Sequence, residues 1–341
     1  MLIRSKAPFR IGLAGGGTDV SPYSDIYGGA VLNATINIYA VTTIEPTTNE
    51  QIELISGNYA HRKIFKSEKQ LPVEKPYELI IGTYNRLVQM FDLPALSFKM
   101  HTHLEAPQGS GLGTSSTLVV SVIGAFTEWL KLPLGKYDIA HLAYEIERID
   151  LQMQGGKQDQ YAATFGGINF LEFFNKDKVI VNPLDIKPHL LKELELCLVL
   201  YFTNIQRHSA DILKEQIENV QTQKNTSIEA MHHLKEQALL LKNYLLKGEL
   251  NKIGELLHFG WIHKKQIARN ISNPFIDSIY EAALKAGATG GKISGAGGGG
   301  FMFFYCPGTS KLQVIDALLQ FGGKVQPFQF TSEGLTSWTF D

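Results

Sequence analysis

The sequence predicts an α+β chain folded as two lobes, and three observations carry that expectation. Its 341 residues suffice for about two domains at roughly 150 residues each. Strand-type and helix-type stretches are mixed along its whole length. A polar run at 175–190 (NKDKVIVNPLDIKPH) interrupts them and divides the chain into lobes 1–180 and 181–341.

The first 45 residues alternate short apolar runs rich in Val, Ile, Thr and Tyr with turn residues, which is a strand pattern. Residues 46–76 are polar, close on Pro72 and Pro76, and predict hairpins and loops. Helical periodicity occupies 77–91, and a short strand follows at 96–104. Ser115 to Leu130 (SSTLVVSVIGAFTEWL) is apolar nearly all round, the mark of a buried helix. An amphipathic helix is expected over 137–153. Beyond the boundary come a strand at 195–203 and helices at about 209–246, 249–268 and 274–286. The last of these opens on Asn273-Pro274, a cap followed by proline at the first helical position. An apolar strand Phe301–Cys306, a helix at 309–321 and two short strands (324–330 and 335–340) complete the chain.

Composition removes several function classes. Thirty-two Lys and Arg nearly balance thirty-three Asp and Glu, for a net charge of -1, so bulk charge does not suit the chain to nucleic acid. Cys197 and Cys306 form no C-x-x-C pair and sit in apolar runs as buried thiols, which indicates neither a disulfide framework nor a zinc ribbon. No apolar run approaches the ~18 residues of a membrane helix. Arg4, Lys6 and Arg10 stand where a signal peptide needs its apolar segment. A cytoplasmic protein is expected. His101 and His103 alternate on a strand without a third ligand, a structural pair rather than a metal site.

Glycine is in excess, 32 of 341, and it is clustered. The central cluster runs Pro107-Gln108-Gly109-Ser110-Gly111-Leu112-Gly113-Thr114-Ser115-Ser116, between a strand and the buried helix. Such a loop turns backbone N–H groups toward an anion, and the helix N-terminus adds partial positive charge, which together make a phosphate cradle. Hydroxyls at the helix start either cap it or serve a magnesium ion. The loop is not a Walker A sequence. Gly295, Gly297 and Gly300 match G-x-G-x-x-G, but they open a strand instead of a helix, against a dinucleotide site. Near the N-terminus, a strand carrying Arg10 enters Gly15-Gly16-Gly17-Thr18-Asp19; Arg10 is suited to stabilise developing charge and Asp19 to take paired hydroxyls of a polyol. Finally, Glu147-Arg148 and Gly155-Gly156-Lys157-Gln158-Asp159-Gln160 place two acids around a glycine turn. Phosphoryl transfer uses one acid to ligate magnesium and another to orient or deprotonate the acceptor hydroxyl.

The trio Lys6–Asp19, Pro107–Ser116 and Lys292–Gly300 (KISGAGGGG), in this order, resembles the GHMP small-molecule kinases over essentially the whole chain. That resemblance implies a ribosomal-protein-like N-terminal lobe and a ferredoxin-like C-terminal lobe. It implies an ATP-dependent kinase whose ATP loop comprises Pro107, Gly109, Ser110, Gly111, Leu112, Gly113, Thr114, Ser115 and Ser116. It also implies Mg2+ on Ser115 and Glu147, with Thr114 and Ser116 as alternative hydroxyls because they depart from the family pattern. Asp159 falls on the family's base, and Arg10 or Lys157 on the group that steadies the transferred phosphoryl. Gly17, Thr18 and Asp19, with Gly297 and Gly298, are the implied acceptor-binding residues. AGGGTDVSPY, GGAVLNATINIYA and the 146–170 segment look most like the bacterial heptose kinases, which implies ATP and a phosphorylated sugar as partners and leaves a homodimer open. Such an acceptor needs a distal anion site, with Lys157, Arg62, Arg207 and His208 as candidates. The competing readings are a kinase of a neutral sugar such as fucose or galactose and a non-catalytic sensor on the same fold. A decarboxylase is disfavoured by the GGGTD loop.

Overall fold

A computed structural model describes residues 1–57, 61–205 and 209–341. The first lobe is built on an eight-stranded sheet, in which the long strands Leu2–Ala14 and Gly29–Pro46 pair antiparallel at its centre. Phe98–Leu104 and the hairpin Gln51–Ser56/His61–Lys66 extend one side, and Ile168–Phe173 with Val179–Pro183 branch from the other end of Gly29–Pro46. The apolar helix Thr114–Leu130 lies against this sheet with Val119, Val120, Val122 and Ile123 fully buried, as a helix without a polar face requires.

The second lobe is a four-stranded antiparallel sheet in the order Lys324–Val325, Leu198–Phe202, Phe301–Tyr305, Gly290–Ile293. Around it pack the helices Asn225–Lys247, Ile253–Ile267, Pro274–Lys285 and Lys311–Leu319. Asn273 caps the third of these, its side-chain oxygen accepting from Phe275 N–H (3.0 Å) and Ile276 N–H (3.1 Å) ahead of Pro274. The two thiols are free and buried, and burial pushes the Cys306 thiol up to about 12.

Three local features differ from the sequence expectation. The helix foreseen over 137–153 stops at Glu145, and a π-helical turn, Ile146–Asp150, carries Glu147. The stretch 209–246 is two helices, Ser209–Gln221 and Asn225–Lys247. The last strand, Thr336–Phe340, returns to the first sheet and pairs with Leu2–Lys6, so a single cut near residue 180 does not separate the lobes. One apolar cluster also spans both: Phe9, Ile11 and Leu13 of the first strand pack with Leu198, Leu200, Leu241, Phe301 and Phe303 of the second lobe. The chain end and this shared core hold the lobes as one body.

The glycine clusters form the seam. Phe301 N–H donates to Ser110 O at 2.8 Å, and Gly300 sits at φ +83 where a Cβ would lie 2.4 Å from that same oxygen. Gly111 and Gly295 face each other as closely, a Cβ on Gly111 falling 2.3 Å from Ser294 O. Gly300→Ala should therefore lower stability by about 2 kcal/mol or more through strain and lost backbone contact. Urea unfolding checks this, and a variant as stable as the parent would show that the seam yields.

Candidate active site

A cavity of about 470 Å³ opens on this seam, lined by Arg10, Gly16, Gly17 and Asp19, by the Gly109–Ser116 loop, by Glu147, Arg148, Gln158 and Asp159, and by Lys264, Lys292, Ser294 and Gly297 of the second lobe.

Arg10 reaches it because its strand is irregular. Pairing with the neighbouring strand shifts register between Pro8, opposite Tyr39, and Arg10, opposite Thr35. Such a bulge re-aims a side chain, and Pro8 contributes no N–H to the ladder. The buried guanidinium then gathers three segments. Nε donates to Asp159 Oδ1 at 2.7 Å, Nη2 stands 2.6 Å from the same oxygen, and Nη1 donates to Gly111 O at 2.6 Å and Ser294 Oγ at 3.2 Å. Asp159 Oδ2 is left without a hydrogen-bond donor among the described residues. It lies against the loop where a Cβ on Gly113 would come within 3.1 Å of it, so glycine is needed there for contact with the carboxylate as well as for φ +80.

Asp159 owes its place to Asp19. Oδ2 of Asp19 accepts from the Lys157 and Gln158 N–H groups (3.0 and 3.2 Å), and Oδ1 accepts from Gln158 Nε2 (3.0 Å) and Gly17 N–H (3.1 Å). A carboxylate so placed caps the helix Gln158–Phe165 and favours its positive end. Gly156 permits the approach, since a Cβ there would lie 1.9 Å from Asp19 Oδ2. The acceptor sites foreseen for polyol hydroxyls are thus occupied by the protein, and Asp19 acts as a positioning residue. Thr18 is likewise used internally: its one hydroxyl proton has Gly15 O (2.8 Å) and Ala30 O (3.0 Å) as acceptors, its oxygen accepts from Ala30 N–H (3.1 Å), and it is fully buried. Gly17 and Gly297 line the cavity, whereas Gly298 donates its N–H to Ile271 O at 2.9 Å. Gln158 lines the cavity, and its enclosed Oε1 has no partner among the described residues.

Lys157 is the clear correction. Its ammonium is buried away from the cavity between Asp177 (2.8 Å) and Asp25 (3.1 Å). Burial alone would lower its pKa, but the hydrogen bonds it donates to Asp177 and Asp25 leave it raised. It neither steadies a phosphoryl group nor serves a distal anion. Arg62 is an exposed hairpin residue donating to Glu53 at 2.6 Å. Arg207 and His208 lie outside the described residues.

The ATP loop fits a phosphate ligand. Gly109, Gly111 and Gly113 take φ of +73, +83 and +80, and the first bond of the following helix is Thr117 N–H to Gly113 O (3.0 Å). The amides of Thr114, Ser115 and Ser116 are then the free donors of a helix N-terminus. Pro107 lies exposed at the loop's edge and turns it, its carbonyl accepting from Ser110 N–H (3.2 Å). Ser110 Oγ and Leu112 are buried under the loop. The hydroxyls divide: Ser116 Oγ accepts from Gln160 Nε2 (3.1 Å), Thr114 is buried, and Ser115 Oγ has no partner among the described residues. Gln160 Nε2 also holds Glu147 Oε2 (2.5 Å), while Arg148 lies 3.7 Å from Glu147 Oε1. One hydroxyl and one oriented carboxylate on a phosphate loop suit Mg2+, which keeps waters and phosphate oxygens as its other ligands.

Two residues that the sequence reading did not single out complete the wall. Lys264 and Lys292 are buried, and among the described residues no carboxylate bonds either: Lys264 Nζ donates there only to Gly16 O (3.4 Å). Burial pushes the Lys264 ammonium down to about 8, with Asp19 opposing and Arg10 adding to the fall. Burial drives Lys292 well below its ordinary value, helped by Lys264 and Arg10 against Asp19. Because its folded pKa is depressed, Lys264 costs stability below about pH 8, and that cost is relieved as pH rises toward 10.5, where the unfolded chain also loses the proton. Lys264→Met should accordingly stabilise the protein at pH 7 in a buffer without multivalent anions. The gain should shrink by on the order of 3 kcal/mol by pH 10.5. Urea titrations of both proteins across this range check it, and a pH-independent difference would mean that Lys264 is not held as a strained cation.

The GHMP kinases N terminal domain model matches residues 78–167 and the GHMP kinases C terminal model matches 241–324. A D-glycero-alpha-D-manno-heptose 7-phosphate kinase of Campylobacter jejuni is 48% identical over 336 residues, covering 98% of each chain. The crystal structure of a D-glycero-D-manno-heptose 1-phosphate kinase from Bacteroides thetaiotaomicron superposes with a TM-score of 0.86 at 46% identity over 99% of each chain. Lactococcus lactis galactokinase, 20% identical, shares the fold with a TM-score of 0.79 over 98% of this chain and 95% of its own. The two lobes, the glycine loop before a buried helix and the acid held against it are those of an ATP-dependent sugar kinase, and the chain belongs to the GHMP kinase family.

Proposed function

We propose that the chain transfers the γ-phosphoryl group of ATP to the anomeric hydroxyl of D-glycero-D-manno-heptose 7-phosphate, a cytoplasmic step toward nucleotide-activated heptose. The observation that carries this reading is the 48% identity to a heptose 7-phosphate kinase across 98% of both chains. The unpaired Oδ2 of Asp159 beside the phosphate loop supplies the chemistry.

In this reading the amides of Gly109–Ser116 take the triphosphate. Ser115 and Glu147 hold Mg2+, which when bound neutralises phosphate charge. Asp159 Oδ2 takes the anomeric proton while the sugar oxygen forms its bond to the γ-phosphorus and the bond to the β-phosphate oxygen breaks, ADP leaving with the electron pair. Arg10 keeps Asp159 on the loop; most of its donors are committed to the protein, so its part is chiefly to orient the base. Gln158 lines the cavity beside Asp19, and we assign its side chain to a hydroxyl of the sugar. Positioning and charge compensation then provide most of the rate.

The test is ADP release with ATP and Mg2+ across heptose 7-phosphate, mannose 6-phosphate, free heptose, fucose and galactose, with phosphorus NMR locating the new phosphate. We expect kcat/KM on heptose 7-phosphate to exceed that on each neutral sugar by at least about a hundredfold, as a lost charged contact costs. An anomeric phosphate signal should accompany it. Turnover confined to fucose or galactose would leave the kinase and discard the heptose assignment.

A further inference from the structure

The cavity holds more positive charge than its own acids balance. Arg10 is paired with Asp159, Arg148 leans on Glu147, and Asp19 spends its oxygens on the Gln158–Phe165 helix start. Lys264 and Lys292 remain, both buried, both on the cavity wall, and neither bonded to a carboxylate among the described residues. Lys157 shows the contrast: an equally buried lysine in this chain is enclosed by two aspartates. A buried cation without a partner carries a desolvation penalty that a site retains where an anionic ligand meets it.

The proposed acceptor says which anion. Lys264 Nζ bonds the carbonyl of Gly16, and a Cβ on Gly16 would lie 3.9 Å from Lys292 Nζ, so both ammoniums gather at the glycine turn that precedes Asp19. The nucleotide loop lies against Asp159 through Gly113, and Arg148 stands 3.7 Å from Glu147. The proposed acceptor brings a phosphate of its own, besides those the nucleotide loop takes, and Lys264 and Lys292 are the wall cations that no carboxylate among the described residues engages. We propose that Lys264 and Lys292 form the binding site for the distal phosphate of the acceptor, and so set the preference for a phosphorylated over a neutral sugar. This inference rests on the proposed acceptor. It makes the paired cations from two different elements, the helix Ile253–Ile267 and the strand Gly290–Ile293, a single specificity pocket completed by the second lobe.

Lys264→Met and Lys292→Met, compared with the parent on heptose 7-phosphate and on free heptose, test it. Melting temperature and ATP affinity serve as checks of folding. We expect the ratio of kcat/KM for heptose 7-phosphate over heptose to fall at least tenfold in each variant, carried by KM for the sugar phosphate. If the parent prefers heptose 7-phosphate and both variants keep that preference in full, the inference is overturned while the acceptor assignment stands. Equal losses on both sugars, appearing in kcat, would overturn it by assigning the lysines to the transferred phosphoryl. A parent without any preference would overturn the acceptor assignment and the inference together.

Discussion

The site depends on one guanidinium. Arg10 lies on the first strand, yet its planar fork touches a helix residue 149 positions later, the carbonyl of the phosphate loop, and a serine 284 positions away in the second lobe. Planar guanidinium geometry suits this better than an ammonium, because several donors are presented at fixed angles at once. Remove the group, and Asp159 loses its link to the loop, while Gly111 and Ser294 keep only the bond from Ser294 Oγ to Gly111 O (2.9 Å). Asp19 supports it from the other side by capping the helix that bears Asp159, so that carboxylate is fixed along its helix axis and across the cavity.

Around that anchor the chain accepts strained and uncompensated groups. Three glycines of the loop take left-handed backbone, Gln158 Oε1 is buried without a partner, and two lysines are buried without a carboxylate. The left-handed turns suit glycine, whereas the enclosed amide oxygen and the two buried lysines are unfavourable unless a partner meets them. The shared apolar core of Phe9, Ile11, Phe301 and Phe303, and the terminal strand returning to the first sheet, supply the rigidity that lets these features persist.

Much of the site was legible before any coordinates because glycine loops and acids at fixed spacing declare themselves locally. Gly109, Gly111, Gly113, Ser115, Glu147 and Asp159 all line the cavity. What escaped was set by tertiary pairing. Lys264 sits in WIHKKQI, where two lysines near a helix end resemble solvated charge, and Lys292 lies between glycine and isoleucine on a short strand. Only the fold buries both against Gly16. Lys157 failed for the opposite reason: beside Asp159 in sequence, it points to the other face of the turn, where Asp25 and Asp177 meet it. The π-helical turn that carries Glu147 left no mark in the periodicity, and the terminal strand could be assigned to a lobe only once its partner was known.

The account turns on Asp159 as the group that receives the acceptor proton. Asp159→Asn retains the shape and an oxygen for Arg10 while removing the base, so single-turnover phosphoryl transfer and ATP binding should separate. We expect turnover to fall about 10²–10⁴-fold with ATP affinity within about twofold of the parent. Parent-like turnover in the variant would contradict the account and leave Asp159 as no more than the counter-ion of Arg10.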